Sequence, residues 1–235
     1  MKTLLFYSLL ILSFTISFVS AQKIKVDFII KNDSLPKREK NNFTYLDLNT
    51  DVSTAKYIGR VRSVGKANNI NLAIIFISDK AKKKGANAFK FVDFKSLDGT
   101  AEIVVDTYVI NESINMSNEN LLPKQKIYFF GRDHKNRNDA EEYKLNGELK
   151  SIDPFKYTVY EFDSEMTVSK GKAFGTTMKL KPQASQSVFI NFTGFGASPN
   201  YTPAGGVGLS FSGGSIIRMD RDSALLLTHI FTRQE

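Results

Sequence analysis

Glu161, Asp163 and Glu165 are the first residues whose types and spacing could do chemistry. If 157–165 forms one strand, the three carboxylates project from a single face at i, i+2 and i+4. Oxygens so placed suit a hard cation such as Ca2+, and a carboxylate pair flanking a sugar supplies the acid and base of a glycosidase. The plainer reading of three like charges is a solvated face or the flank of a turn. A second group is Lys80, Lys82, Lys83 and Lys84. These four would draw an anionic polymer, or would offset the negative end of a helix dipole if they stand in its last turn. The third lies in the Gly-rich stretch 194–214, where Phe195 and Tyr201 offer rings on which sugars stack, or else core packing between hairpin turns.

Nucleophilic chemistry has little to draw on. There is no cysteine, and the nearest approach to a nucleophile elbow, Gly208-Leu209-Ser210-Phe211-Ser212, carries Ser where the second Gly must allow the sharp turn. The two histidines make no triad by spacing: His134 falls in a polar segment that reads as a solvated loop, and His229 in the apolar run 225–231 that reads as packed sheet. Gly194-Phe195-Gly196-Ala197-Ser198-Pro199 puts Pro in the third glycine position of G-x-G-x-x-G, which rejects a phosphate cradle. No cofactor is expected.

The elements that must position these residues follow an N-terminal segment with its own physics. Lys2, the apolar run 4–19 and the small residues before Ala21 have the layout of a secretory signal peptide, so 1–21 is expected to be removed and the product exported to a periplasmic, outer-surface or extracellular location. The net charge of +8 is a moderate basic excess, concentrated in 22–118, rather than the dense cationic face of a nucleic-acid binder. A chain without cysteine has no disulfide framework or lipidated cysteine and must be held by burial and hydrogen bonds. No later apolar run reaches the roughly 18–20 residues of a spanning helix. Six Asn-x-Ser/Thr triplets, at Asn32, Asn42, Asn111, Asn115, Asn191 and Asn200, are read as products of an Asn-rich and Ser-rich composition.

Alternation of charged and apolar groups predicts strands at 23–30, 45–48 and 57–62, the last broken by Gly65. Ile70, Ala73, Ile74, Ile77 and Ala81 fall on one helical stripe, which predicts a helix over 69–84 with Asn68 or Asn69 as cap and Gly85 just beyond its end. Strands at 88–94 and 101–110 should pair about a turn at Asp98-Gly99. The Asn-rich and Ser-rich stretch 111–122 reads as a linker ending at Pro123. Beyond it, β-prone runs at 127–130, 143–149, 156–162, 177–180, 188–193, 207–211, 215–219 and 224–231 predict only strands and turns.

Ala81-Lys82-Lys83-Lys84-Gly85-Ala86-Asn87-Ala88 resembles the A-x-x-x-G-A-N-A signature of small bacterial domains of the YbjQ type and of RcsF-like envelope proteins. The resemblance covers about 57–110 and implies a local helix-to-strand fold. The disulfides and lipid anchor of RcsF-like proteins have no cysteine to form on here, and no ligand set for a metal accompanies the motif. The expected fold class is α+β: a helix-on-sheet layer over 22–118, then an all-β sandwich-like part over 119–235. The expected function is an exported, non-enzymatic bacterial binding or envelope-associated module whose ligand the residues do not name, an anionic envelope polymer or a glycan being the candidate partners. The alternatives are a glycan hydrolase acting through Glu161, Asp163 or Glu165, and a lysine-rich binder of anionic envelope polymers.

Overall fold

The computed structural model describes residues 24–32, 43–133, 140–171, 176–201 and 207–235, without the side chains of 193–201 and 207–215. The leader 1–21, Asn42 and His134 lie outside the described residues. The strands run β1 (Lys25–Lys31), β2 (Thr44–Leu46), β3 (Lys56–Lys66), β4 (Ala88–Leu97), β5 (Thr100–Val109), β6 (Lys126–Phe130) and β7 (Glu141–Leu145). They continue as β8 (Glu148–Ile152), β9 (Lys156–Glu161), β10 (Met166–Lys170), β11 (Thr176–Leu180), β12 (Val188–Tyr201), β13 (Val207–Arg218) and β14 (Thr232–Arg233). Among the described residues they form three sheets, ordered β1-β3-β5-β4-β2, β11-β10-β7-β8 and β13-β12-β6-β9-β14. The molecule is sheet-rich α+β.

The periodic stripe forms helix α1 (Ile70–Lys82), which buries Ile70, Ala73, Ile74, Ile77 and Ala81. Asn69 occupies the cap position without a side-chain hydrogen bond. The helix ends in a Schellman arrangement: Ala86 N–H donates to the Ala81 carbonyl at 3.2 Å and Gly85 N–H to the Lys82 carbonyl at 3.0 Å. Gly85 takes φ 86°, a conformation that costs residues with a Cβ. Ala81, Ala86 and Ala88 are each 0% exposed. The Asn87 amide both donates to the Ile110 carbonyl at 3.0 Å and accepts from Ile110 N–H at 2.8 Å. The fixed residues of the Ala81–Ala88 motif, Ala81, Gly85, Ala86, Asn87 and Ala88, therefore each have a structural job at the corner between α1 and β4.

Four expectations are corrected. The 111–122 stretch is not a linker but contains helix α2 (Glu112–Leu121), whose first turn is capped by Asn111 Oδ1 accepting from Ile114 N–H at 3.0 Å. Its polarity is used rather than solvated, because Asn118 is 0% exposed. The run 224–231 is not a strand. Asp220 Oδ2 accepts from Ser223 N–H at 2.9 Å and caps helix α3 (Arg221–Leu227), which buries Ala224 through Leu227 on all sides. Gly65 does not break β3 but pairs with Ala101 inside it, and Ile24 packs where a Cβ would stand, with its Cγ1 2.9 Å from that position. The run 143–149 is interrupted by Asn146-Gly147, both at positive φ of 52° and 89°, so it is a hairpin of β7 and β8 rather than one strand.

The sheet containing β6 is the middle layer. Tyr128 and Phe130 face a core that also takes α1, α3, Val61, Phe89 and Ile103 of the first sheet. Ile127 and Phe129 face a second core shared with Tyr143, Val168 and Leu180 of the four-stranded sheet. The first core thus draws on both 22–118 and 119–235. Within the second, Glu141 is 6% exposed and pairs with both Arg132 and Lys170.

Candidate functional site

The end of β2, strands β6, β9 and β14 and the turn after α3 meet at a cleft of about 320 Å³ whose walls include Tyr45, Asp47, Tyr128, Tyr157, His229 and Arg233. Tyr45 and Asp47 come from the end of β2. Asn118 of α2 holds that segment, donating to the Tyr45 carbonyl at 2.9 Å and accepting from Asp47 N–H at 2.8 Å and Thr50 Oγ1–H at 2.7 Å. Asp222 of α3 accepts from Tyr45 N–H at 2.9 Å, and its burial pushes its carboxyl above the usual carboxylate range. The first-sheet segment and the C-terminal helix are therefore tied directly.

His229 follows α3 in a turn, not in a sheet as expected. Its ring stacks on Phe91 with centroids 4.7 Å apart and planes 8° from parallel. Its Nε2 and the Tyr45 hydroxyl share a hydrogen bond of 2.6 Å whose direction is set by the histidine tautomer. Burial lowers the His229 pKa, opposed by Asp47, and burial raises that of Tyr45, so both groups are held neutral. Tyr128, from β6, has its hydroxyl pushed up to about 12, chiefly by burial. Lys126 and Glu161, directly opposed on β6 and β9, pair at 3.2 Å on the rim. The cleft thus presents tyrosine hydroxyls, an imidazole and both signs of charge around aromatic faces. It has hydrogen-bond partners for a polyhydroxylated molecule and no cysteine or activated serine to attack one.

The pairing of His229 with Tyr45 makes a pH prediction. The unfolded chain takes up a proton at His229 near the ordinary value of 6.5, whereas the folded chain resists it. The unfolded state then binds more protons, so stability is unaffected well above that value and falls as the pH drops through it. The slope is at most about 1.4 kcal/mol per pH unit for one proton. Urea midpoints measured from pH 7.5 to 5.5 should fall more steeply for the natural protein than for His229→Asn, which removes this group alone.

Of the candidate ligand and metal residues read from the sequence, only Glu161 lines this cleft, together with His229, for which the sequence predicts packed sheet. β9 ends at Glu161, so Asp163 and Glu165 fall in the exposed turn before β10 and the three carboxylates do not share a strand. Among the described residues no group of three or more His, Asp or Glu is placed to hold a metal ion. Lys80 and Lys82 lie in the last turn of α1, with Lys83 and Lys84 just after it. At about 100° per residue they spread around the axis, and Lys82 lines a hollow with Asp79, Asp220 and Asp222. Phe195 and Tyr201 belong to β12 by backbone pairing, and their side chains lie outside the described residues. Tyr45 and His229 were missed as a pair because 184 residues separate them.

In comparisons with known proteins, no family model, no curated protein and no solved structure matches the chain. Among the described residues no helix is long and apolar enough to cross a membrane.

Proposed function

We propose that this chain is an exported, non-enzymatic binding protein that takes a sugar-type ligand in the cleft lined by the Tyr45–His229 pair, Tyr157 and Arg233. The observation that carries the reading is the lining itself. The half-buried Tyr157 supplies a ring and a hydroxyl, the buried Tyr45 and Tyr128 line the wall beside it, and Asp47 and Arg233 supply an acceptor and a donor of opposite charge. A helix-on-sheet layer followed by a sandwich-like pair of sheets would present the cleft where the two parts meet. Export is supported by the leader layout of 1–21. Kinship with YbjQ-type or RcsF-like domains would account for the α1 corner and adds nothing to the ligand.

Calorimetric titration of the purified protein with neutral and acidic oligosaccharides tests this. Saturable binding is expected, weakened about tenfold or more by Tyr157→Ala and by Arg233→Gln, each of which removes a ring or a charged donor from the wall. Absence of binding across the panel, or binding indifferent to both substitutions, overturns it. A hydrolase is the second reading, favoured by one observation: Glu161 and Asp47 line the same cleft. Release of reducing ends that Glu161→Gln abolishes would establish that reading instead.

A further inference from the structure

We infer that a second cleft, of about 710 Å³, binds a single-chain amphiphile with an anionic head, such as a fatty carboxylate. Its volume lies within the range of small-molecule sites. Its apolar lining includes Ile70, Phe94, Phe155 and Ile230, its polar lining Asn68, Ser96 and Thr232, and the charged residues among its lining are Lys66 and Lys156. A largely apolar trough whose charged lining residues are both cations complements a hydrocarbon chain that ends in an anion. Lys156 also pairs with Asp153 at 2.7 Å. Lys66, at the end of β3, has no ion pair among the described residues and is the better placed for an incoming carboxylate.

The backbone at Phe155 is an independent pointer. The residue takes φ 58° in the turn Asp153-Pro154-Phe155-Lys156, where Lys156 N–H reaches back to the Asp153 carbonyl at 3.3 Å. Pro followed by a left-handed residue is the pattern of a type II turn, whose third position Gly fills without strain and a bulky side chain does not. The strained turn is clamped on both sides: Phe155 N–H donates to the Arg132 carbonyl at 2.9 Å and its carbonyl accepts from Thr232 N–H at 3.0 Å. The ring also meets Phe231 edge to face at 5.7 Å, which fixes its attitude in the trough wall. A turn needing only to reverse the chain would be easier with glycine, and what Phe155 adds is an apolar surface turned to the cleft.

Fluorescence titration of the purified protein with a conjugated fatty acid below its micelle concentration tests the inference, with the corresponding fatty alcohol as the neutral counterpart. The acid should bind saturably at one site and more tightly than the alcohol. Lys66→Gln, which leaves the apolar lining intact, should erase that preference with a loss of about fivefold or more. Phe155→Gly, which relaxes the turn and removes the ring, should weaken acid and alcohol alike by about tenfold or more. Tyr157→Ala and Arg233→Gln, which alter the other cleft, should leave fatty acid binding unchanged, so failure here and failure of the saccharide reading are separable. No saturable binding, equal binding of acid and alcohol, or indifference to both Lys66→Gln and Phe155→Gly overturns the inference.

Discussion

Asn118→Ala is expected to destabilise the fold by about 3–5 kcal/mol, because two buried partners and one half-buried partner lose their hydrogen bonds at once and each orphaned group costs about 1–3 kcal/mol. The three are the Tyr45 carbonyl, Asp47 N–H and the Thr50 hydroxyl, and Asn118 reaches all of them from a position that is 0% exposed. Thr50→Val removes one of these bonds and leaves the other two, so its expected cost is about 1 kcal/mol. Urea unfolding of the two variants measures the difference. Because Tyr45 and Asp47 also line the polar cleft, Asn118→Ala should loosen saccharide binding along with stability. A loss below about 1 kcal/mol would show that the segment is held by packing, not by the amide.

Glu141→Ala is the second large effect. Glu141 is 6% exposed and Lys170 9%, and Arg132 closes the group from the other side of the carboxylate. Lys170 also lies over the Phe192 ring at 5.2 Å, and burial already pulls its pKa down. Removing the carboxylate takes the Glu141 ion pair from the buried Lys170 and the largely buried Arg132 at once, and breaking a buried pair costs about 3–5 kcal/mol. For a chain of this size a loss of 3 kcal/mol lowers the melting temperature by about 6–12 °C. Replacing Glu141 and Lys170 together, as Glu141→Leu with Lys170→Met, should recover the part of that loss that comes from the buried Lys170, because well-packed apolar groups carry no desolvation penalty, while Arg132, 20% exposed, still loses its carboxylate partner. If the single substitution and the double substitution melt alike, the ions are not what organises this part of the core.

The contrast among the three helices shows what the sequence makes legible. α1 could be read because Ile70, Ala73, Ile74, Ile77 and Ala81 repeat with helical period and Gly85 punctuates the end. α2 could not, because Asn118 turns its amide inward to satisfy a neighbouring segment, and side-chain polarity then mimics exposure. Asn111 ahead of Glu112 was the signal that a cap was present. α3 was mistaken for a strand because Ala224 through Leu227 are buried on every side, which leaves no periodicity to distinguish a helix from a central strand. Asp220 three residues before Ser223 was its available signal. The candidate site was harder still. Glu161 was visible as a carboxylate, but the partners across the cleft, Tyr45 and His229, meet only through the sheet order, and their residue types carry no motif. Lys66 and Phe155 became notable only when the chain placed them on one trough.

Phe129 and Phe130 are adjacent on β6, yet one feeds each core. Heat cannot loosen either side of this strand without withdrawing half the support beneath the other. Calorimetry should therefore record one sharp endotherm in place of two steps, and damage introduced near Glu141 should be felt as faster amide exchange around His229.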